Sequence, residues 1–189
     1  MNADYRTSLA LVTDQSATGE AKVILDNSVA QLGFAPNMYQ AMANSPGYLS
    51  TYIHGYTQFR ENSGLSPQEQ ELIFLVISRE NGCDYCTAAH SMLADKVSKL
   101  DAATLEAIRS GVPITDAKLQ TLSEMTSRLF KARGLITKDD ARKFLNAGYQ
   151  ERHILEIILA LSVKTLSNYA NHIFHTDIDE AFEDYQLKP

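Results

Sequence analysis

Both cysteines of this 189-residue chain fall in one short stretch, ENGCDYCTAAH, at positions 83 and 86, and a histidine follows at position 90. A thiol acts as a nucleophile only as its thiolate, and at its ordinary pKa of about 8.5 only a few per cent is ionised at pH 7. Reactivity therefore needs a local push. Residues four apart on a helix share a face, so His90 stands within side-chain reach of Cys86 and can take or stabilise its proton. A helix beginning near Cys83 adds the partial positive charge of its free first-turn N–H groups. Lowering the pKa by two units takes about 2.7 kcal/mol, within reach of a histidinium and a helix end acting together. Cys83, one turn earlier, could close a disulfide on an oxidised Cys86. The spacing thus offers nucleophile, base and resolving thiol. Two other readings use the same residues: a pair of thiols packed in a core, or three ligands of a zinc site. The zinc reading lacks a fourth ligand, since no second ligand pair at finger-like spacing exists.

Composition narrows the setting. A formal charge of -6, with no basic run longer than a pair, argues against a nucleic-acid surface, which needs clustered Lys and Arg. The N-terminal stretch lacks the basic flank of a signal peptide, and the most apolar run, ILEIILALSVKTL at 154–166, is too short to span a membrane and carries Glu156 and Lys164. A cytoplasmic protein without membrane or nucleic-acid partners is expected. In a reducing cytosol a close cysteine pair is more often catalytic, redox-sensing or metal-binding than a permanent staple.

The elements that must position these residues read as helices throughout. Gly33 closes a helix over 20–32, a short turn of helix follows FAPN, and Pro46 opens a third helix that ends by Gly64. Ser66-Pro67-Gln68-Glu69 combines a capping box with proline in the first turn and starts a fourth helix through LIFLVIS. Gly82 can end it in the left-handed conformation, and the cysteine helix begins there. Glu71, at the head of LIFLVIS, could be a solvent-facing first-turn carboxylate. Tyr85 reads as packing, or as a phenol that orients a proton or water. Further helices follow Asp101, then Thr115 as a cap, then 137–147, and a long one runs from about 150 to 176, for roughly nine in all: an all-α fold in one domain.

An echo links the two most apolar regions at an offset of 85: Glu71 falls on Glu156, Ile73 on Ile158 and His90 on His175, while Cys83 and Cys86 meet Asn168 and Asn171. A degenerate helical repeat is expected, the first copy at about 64–95 and the second at about 148–178. The second copy reads as scaffold, since neither amide can be a redox nucleophile.

GLSPQEQELIFLVISRENGCDYCTAAH resembles the signature of the alkyl hydroperoxidase D and carboxymuconolactone decarboxylase superfamily, in particular its peroxidase-related branch. GFAPNMYQAMANSPGYL and AGYQERHILEIILALSVKTLSNYANH resemble the same branch, so the likeness spans about residues 26–175. It implies an AhpD-like helical bundle with a duplicated core, assembled as a homo-oligomer such as a trimer or hexamer. Carried over residue by residue, it makes Cys86 the attacking thiol, Cys83 the resolving thiol, and His90 with Glu71 a proton relay. Tyr85 departs from the founding peroxidase, which has a histidine just before its second cysteine. The implied activity is a thiol-dependent peroxidase that reduces ROOH to ROH, with no cofactor and no metal beyond its own Cys83–Cys86 dithiol. An external dithiol reductant, such as a lipoyl-bearing protein, would restore it. The alternatives are a decarboxylase-like enzyme acting on a small acid, which gives no reason for two thiols, and a redox-sensing oligomeric protein without fast turnover.

Overall fold

The structure is a computed structural model that describes residues 4–187. Among them nine α-helices and one 3-10 turn occur and no strand: α1 Gly19–Leu32, α2 Asn37–Met42, α3 Pro46–Asn62, α4 Pro67–Asn81, α5 Asp84–Lys96, α6 Ala102–Ser110, α7 Ala117–Lys131, α8 Lys138–Asn146, α9 Glu151–Phe174 and the 3-10 turn Glu180–Tyr185.

Helix α4 is the axis of the bundle. Leu72 to Ser78 are buried on every side, because α5, α6, α7 and α9 all pack against this helix. That environment explains why its sequence is a continuous apolar run rather than an amphipathic stripe. Its ends follow the sequence. The Ser66 hydroxyl accepts from Glu69 N at 3.3 Å while the Glu69 carboxylate accepts from Ser66 N at 2.8 Å. At the far end Gly82 takes φ 66°, a conformation that costs a side-chain-bearing residue and not glycine. Cys83 N then donates back to Ser78 O at 2.9 Å. The chain turns there, and Cys83 becomes the N-cap of α5.

Helix α9 approaches the centre from the other side. A Cβ on Gly55 would come within 2.9 Å of Val163 Cγ2, so glycine is what lets the backbone of α3 lie against α9 beside Lys164. In the register of the 85-residue echo α4 and α5 break at Gly82, whereas α9 runs on through Ser167 as one helix.

Two elements differ from the sequence reading. Asp116, not Thr115, caps α7, its carboxylate accepting from Leu119 N at 2.8 Å. The 3-10 turn at 180–185 has no apolar period to announce it. Long-range contacts hold it in place, with Tyr85 donating to the Asp179 carboxylate and Phe182 set edge-on to the Tyr85 and Phe34 rings.

Candidate active site

Cys86 lies in the first turn of α5, and the capping residue Cys83 precedes it by one turn. Both sulfurs are buried and unoxidised. They share a donor: Asn171 Nδ2 is 3.2 Å from Cys86 Sγ and 3.7 Å from Cys83 Sγ. The second half of the chain therefore reaches the thiols directly, which corrects its reading as scaffold. Asn171 holds no thiol of its own, yet it supports the pair in the first half.

The two thiols are electrostatically unequal. Burial alone would push Cys86 up. A hydrogen bond from Cys83, the Lys164 ammonium and the Ser167 hydroxyl outweigh it, and the Cys86 thiol is held well below its ordinary value. Cys83 goes the other way, because it gives its hydrogen bond to Cys86 and is itself buried. An imidazolium at His90 would also favour the thiolate. Burial and Lys164 instead push His90 down to about 4, so at pH 7 it is neutral and Lys164 supplies the positive charge beside Cys86. This replaces the histidinium expected from helical spacing.

Lys164 is fully buried, with 0% of its surface exposed. Its Nζ has no hydrogen-bond partner among the described residues and lies 5.6 Å from the centre of the Phe74 ring. A buried ammonium without a counter-charge is costly. Around the site Arg60 pairs with Glu71 at 2.5 Å, which leaves the Cys86 thiolate as the anion that balances Lys164.

Glu71 is buried rather than solvent-facing. Its Oε2 accepts from His90 Nδ1 at 2.8 Å, which fixes the tautomer with Nδ1–H toward the carboxylate and leaves Nε2 as an acceptor. Burial would raise the Glu71 carboxyl, but His90 and Arg60 lower it overall. Arg60 also donates to Tyr56 Oη at 2.8 Å and stacks over Phe74, 4.8 Å from the ring centre. The chain Arg60–Glu71–His90 orients the imidazole without charging it. Tyr85 takes no part in this chain, since its hydroxyl is committed to Asp179.

Sequence reasoning named Cys83, Cys86, His90 and Glu71, and the structure brings all four together. It missed Arg60, Lys164 and Asn171. The signal available for the last two was a polar stripe, Lys164, Ser167, Asn168 and Asn171, at helical spacing along the most apolar helix of the chain.

Cys86 and His90 open on a cavity of about 600 Å³ lined by Tyr39, Tyr52, Tyr56, Lys164 and Phe182. Cys83 does not line it. Among the described residues no three His, Cys, Asp or Glu side chains converge as metal ligands, and no helix is long and apolar enough to cross a membrane.

Residues 46–123 match the model of the Carboxymuconolactone decarboxylase family. Three solved structures share the fold. An uncharacterized peroxidase-related protein from Ralstonia eutropha JMP134, described as an alkylhydroperoxidase AhpD core, superimposes with a TM-score of 0.82 at 16% identity, covering 95% of this chain and 96% of its own. A peroxidase-related protein from Silicibacter sp. TM1040 gives 0.75 at 20% identity, covering 96% and 93%. A cysteine-to-alanine variant of the debrominase Bmp8 in complex with 2,3,4-tribromopyrrole gives 0.77 at 14% identity, covering 96% and 97%. At these identities the likeness establishes the fold alone. None of the curated proteins compared with the chain matches it.

Proposed function

We propose that this chain, which belongs to the AhpD-like and carboxymuconolactone decarboxylase superfamily, is a thiol-dependent peroxidase that cycles between a Cys83–Cys86 dithiol and its disulfide. The observation that carries this reading is the asymmetry of the pair: one thiol on the wall of the aromatic cavity beside Lys164 and favoured as thiolate, its neighbour outside that cavity, pushed up and within hydrogen-bonding reach. The Cys86 thiolate attacks the terminal oxygen of ROOH, the O–O bond breaks, and RO⁻ leaves and takes a proton, giving ROH and a Cys86 sulfenic acid. The proton that RO⁻ takes up comes from solvent, and neutral His90, oriented by Glu71, passes it on as a hydrogen-bonding group without storing it. Cys83 then attacks the Cys86 sulfur, water departs, and two thiols with one hydroperoxide have become a disulfide, ROH and H2O.

The cycle needs a dithiol reductant from outside the chain and a reducing compartment such as the cytoplasm. A homo-oligomer is part of the same reading, because α9 leaves Leu155, Ile158, Tyr169 and Ile173 exposed on its outer side. Hydroperoxide consumption by the reduced protein with dithiothreitol tests the activity: the expected result is one dithiol oxidised per peroxide consumed, and loss of the reaction in Cys86→Ser.

A second reading comes from the cavity. Its volume of about 600 Å³ and its aromatic walls suit a ring-sized ligand better than a bare peroxide, and Bmp8, of the same fold, binds a bromopyrrole. The same two-electron dithiol could reduce a carbon–bromine bond to carbon–hydrogen, releasing bromide and a proton as the disulfide forms. Bromide release from a bromopyrrole without peroxide turnover would favour that reading.

A further inference from the structure

The two thiols face different openings. Cys86 lines the aromatic cavity described above and Cys83 does not. Cys83 instead lines a separate, more open cleft of about 900 Å³ between the turn at Asn81–Asp84 and the C-terminal end of α9, and Cys86 is absent from its walls. Only Tyr85 belongs to both, and its hydroxyl is tied to Asp179, so its ring is a partition between them.

The cleft also holds polar groups that the fold leaves unused. Asn171 Oδ1, His172 Nε2 and Thr176 Oγ1 all belong to residues of its wall, and none has a hydrogen-bond partner among the described residues. Asn171 itself is buried, and its other amide atom, Nδ2, is committed to the two sulfurs. Buried polar atoms are normally satisfied, and an unsatisfied one costs the desolvation it is not repaid for. Asn171 Oδ1 can only accept, so whatever completes it must present an N–H or O–H.

We propose that this cleft is the binding site for the reductant, a thiol carrying a hydrogen-bond donor close to its sulfur, and that this thiol attacks Cys83 while substrate meets Cys86 from the opposite side. The inference rests on the Cys83–Cys86 disulfide cycle proposed above. In the reductive step the incoming thiolate bonds to Cys83 Sγ, the Cys83–Cys86 bond breaks, and the electron pair leaves on Cys86 as its thiolate. When the reductant is a dithiol, its second thiolate attacks the sulfur now bound to Cys83, closes its own disulfide and releases Cys83, which takes up a proton. Attack on this side expels the better leaving group, because the lower-pKa thiol leaves faster and Cys86 is the thiol held low. Separate openings also let reductant bind while product still fills the aromatic cavity.

The experiment oxidises the full chain with one equivalent of diamide, so that disulfide formation does not depend on any peroxidase activity, and follows its reduction by stopped flow. Dithiothreitol and 1,4-butanedithiol are compared, since they differ only in the two hydroxyls; both rates are normalised to those on a small-molecule disulfide. Dithiothreitol should be faster by about tenfold, as expected for one hydrogen bond gained at an otherwise unsatisfied acceptor. Thr176→Trp, which fills the cleft, should slow reduction by at least about tenfold while leaving peroxide oxidation of the reduced protein unchanged. Ala89→Phe, in the aromatic cavity, should do the reverse. In the wild type, a monothiol such as 2-mercaptoethanol, acid-quenched and mapped by tandem mass spectrometry, should be found on Cys83, a measurement that needs no variant to fold. Mixed disulfide on Cys86, or reduction unaffected by Thr176→Trp and slowed by Ala89→Phe, would overturn the proposed approach while leaving the cycle intact. Failure of diamide to form the intramolecular disulfide would remove the cycle itself and this inference with it.

Discussion

Replacing Lys164 with methionine should make the Cys86 thiol less reactive and flatten the rise of stability with pH. The side chain is fully buried and its ammonium has no hydrogen-bond partner among the described residues; methionine keeps the length and removes the charge. At an effective dielectric of about 20 an ammonium within roughly 5–8 Å favours a thiolate by roughly 2–3 kcal/mol, so losing Lys164 should raise the Cys86 thiol back toward its ordinary value. The ultraviolet absorbance of the thiolate against pH reads this in a Cys83→Ser background, where Cys86 is the one remaining thiol. The pH dependence has a definite sign. A depressed folded-state pKa adds stability that is full above the unfolded value, about 8.5 for a thiol, and is lost as pH falls through the folded value. Wild type should therefore gain stability as pH rises from the lowered Cys86 value to about 8.5, and Lys164→Met should gain much less. An unshifted thiolate titration in a folded Lys164→Met protein would refute the claim that this lysine activates Cys86.

His90, with its pKa down from 6.5 to about 4, should contribute stability that is full above pH 6.5 and lost as pH falls toward 4, about 3 kcal/mol in all; urea melts of wild type and His90→Asn across that window should differ in slope, and parallel curves would mean His90 is not held neutral by the fold. Asn171→Ala removes the donor at 3.2 Å from Cys86 Sγ but no reacting atom, so single-turnover oxidation should survive with a slowing equivalent to about 0.5–1.5 kcal/mol; loss of all peroxide reactivity in a folded variant would give Asn171 a larger part than support. A charge placed on the exposed face of α9, as in Ile173→Glu, should lower the mass measured by light scattering without changing thiol ionisation, while a wild-type protein already monomeric would remove the oligomer from the proposal.

How much of this was legible in sequence follows from the range of each interaction. The ends of α4 were readable because Ser66, Glu69 and Gly82 act within a few residues of themselves, and Cys83, Cys86 and His90 because one helical turn joins them. Thr115 and Asp116 are both good caps one residue apart, and only the backbone decides between them. Arg60, Lys164 and Asn171 were not readable as site residues, because each reaches Cys86 or its relay through the packing of α3 and α9 against α4 and α5. The neutrality of His90 was hidden for the same reason: burial and Lys164 set it, and neither lies in the local motif. The turn at 180–185 depends on Asp179 meeting Tyr85, ninety-four residues away.

The most direct test of the central claim, that Cys86 attacks and Cys83 resolves, is mass spectrometry of the two single serine variants after one equivalent of hydroperoxide in the presence of a sulfenate trap. Cys83→Ser should carry the trapped adduct on Cys86 and over-oxidise with further peroxide, and Cys86→Ser should remain reduced. An adduct on Cys83 in Cys86→Ser with none on Cys86 in Cys83→Ser would reverse the assignment, and unmodified thiols in both variants and in wild type would contradict the peroxidase reading itself.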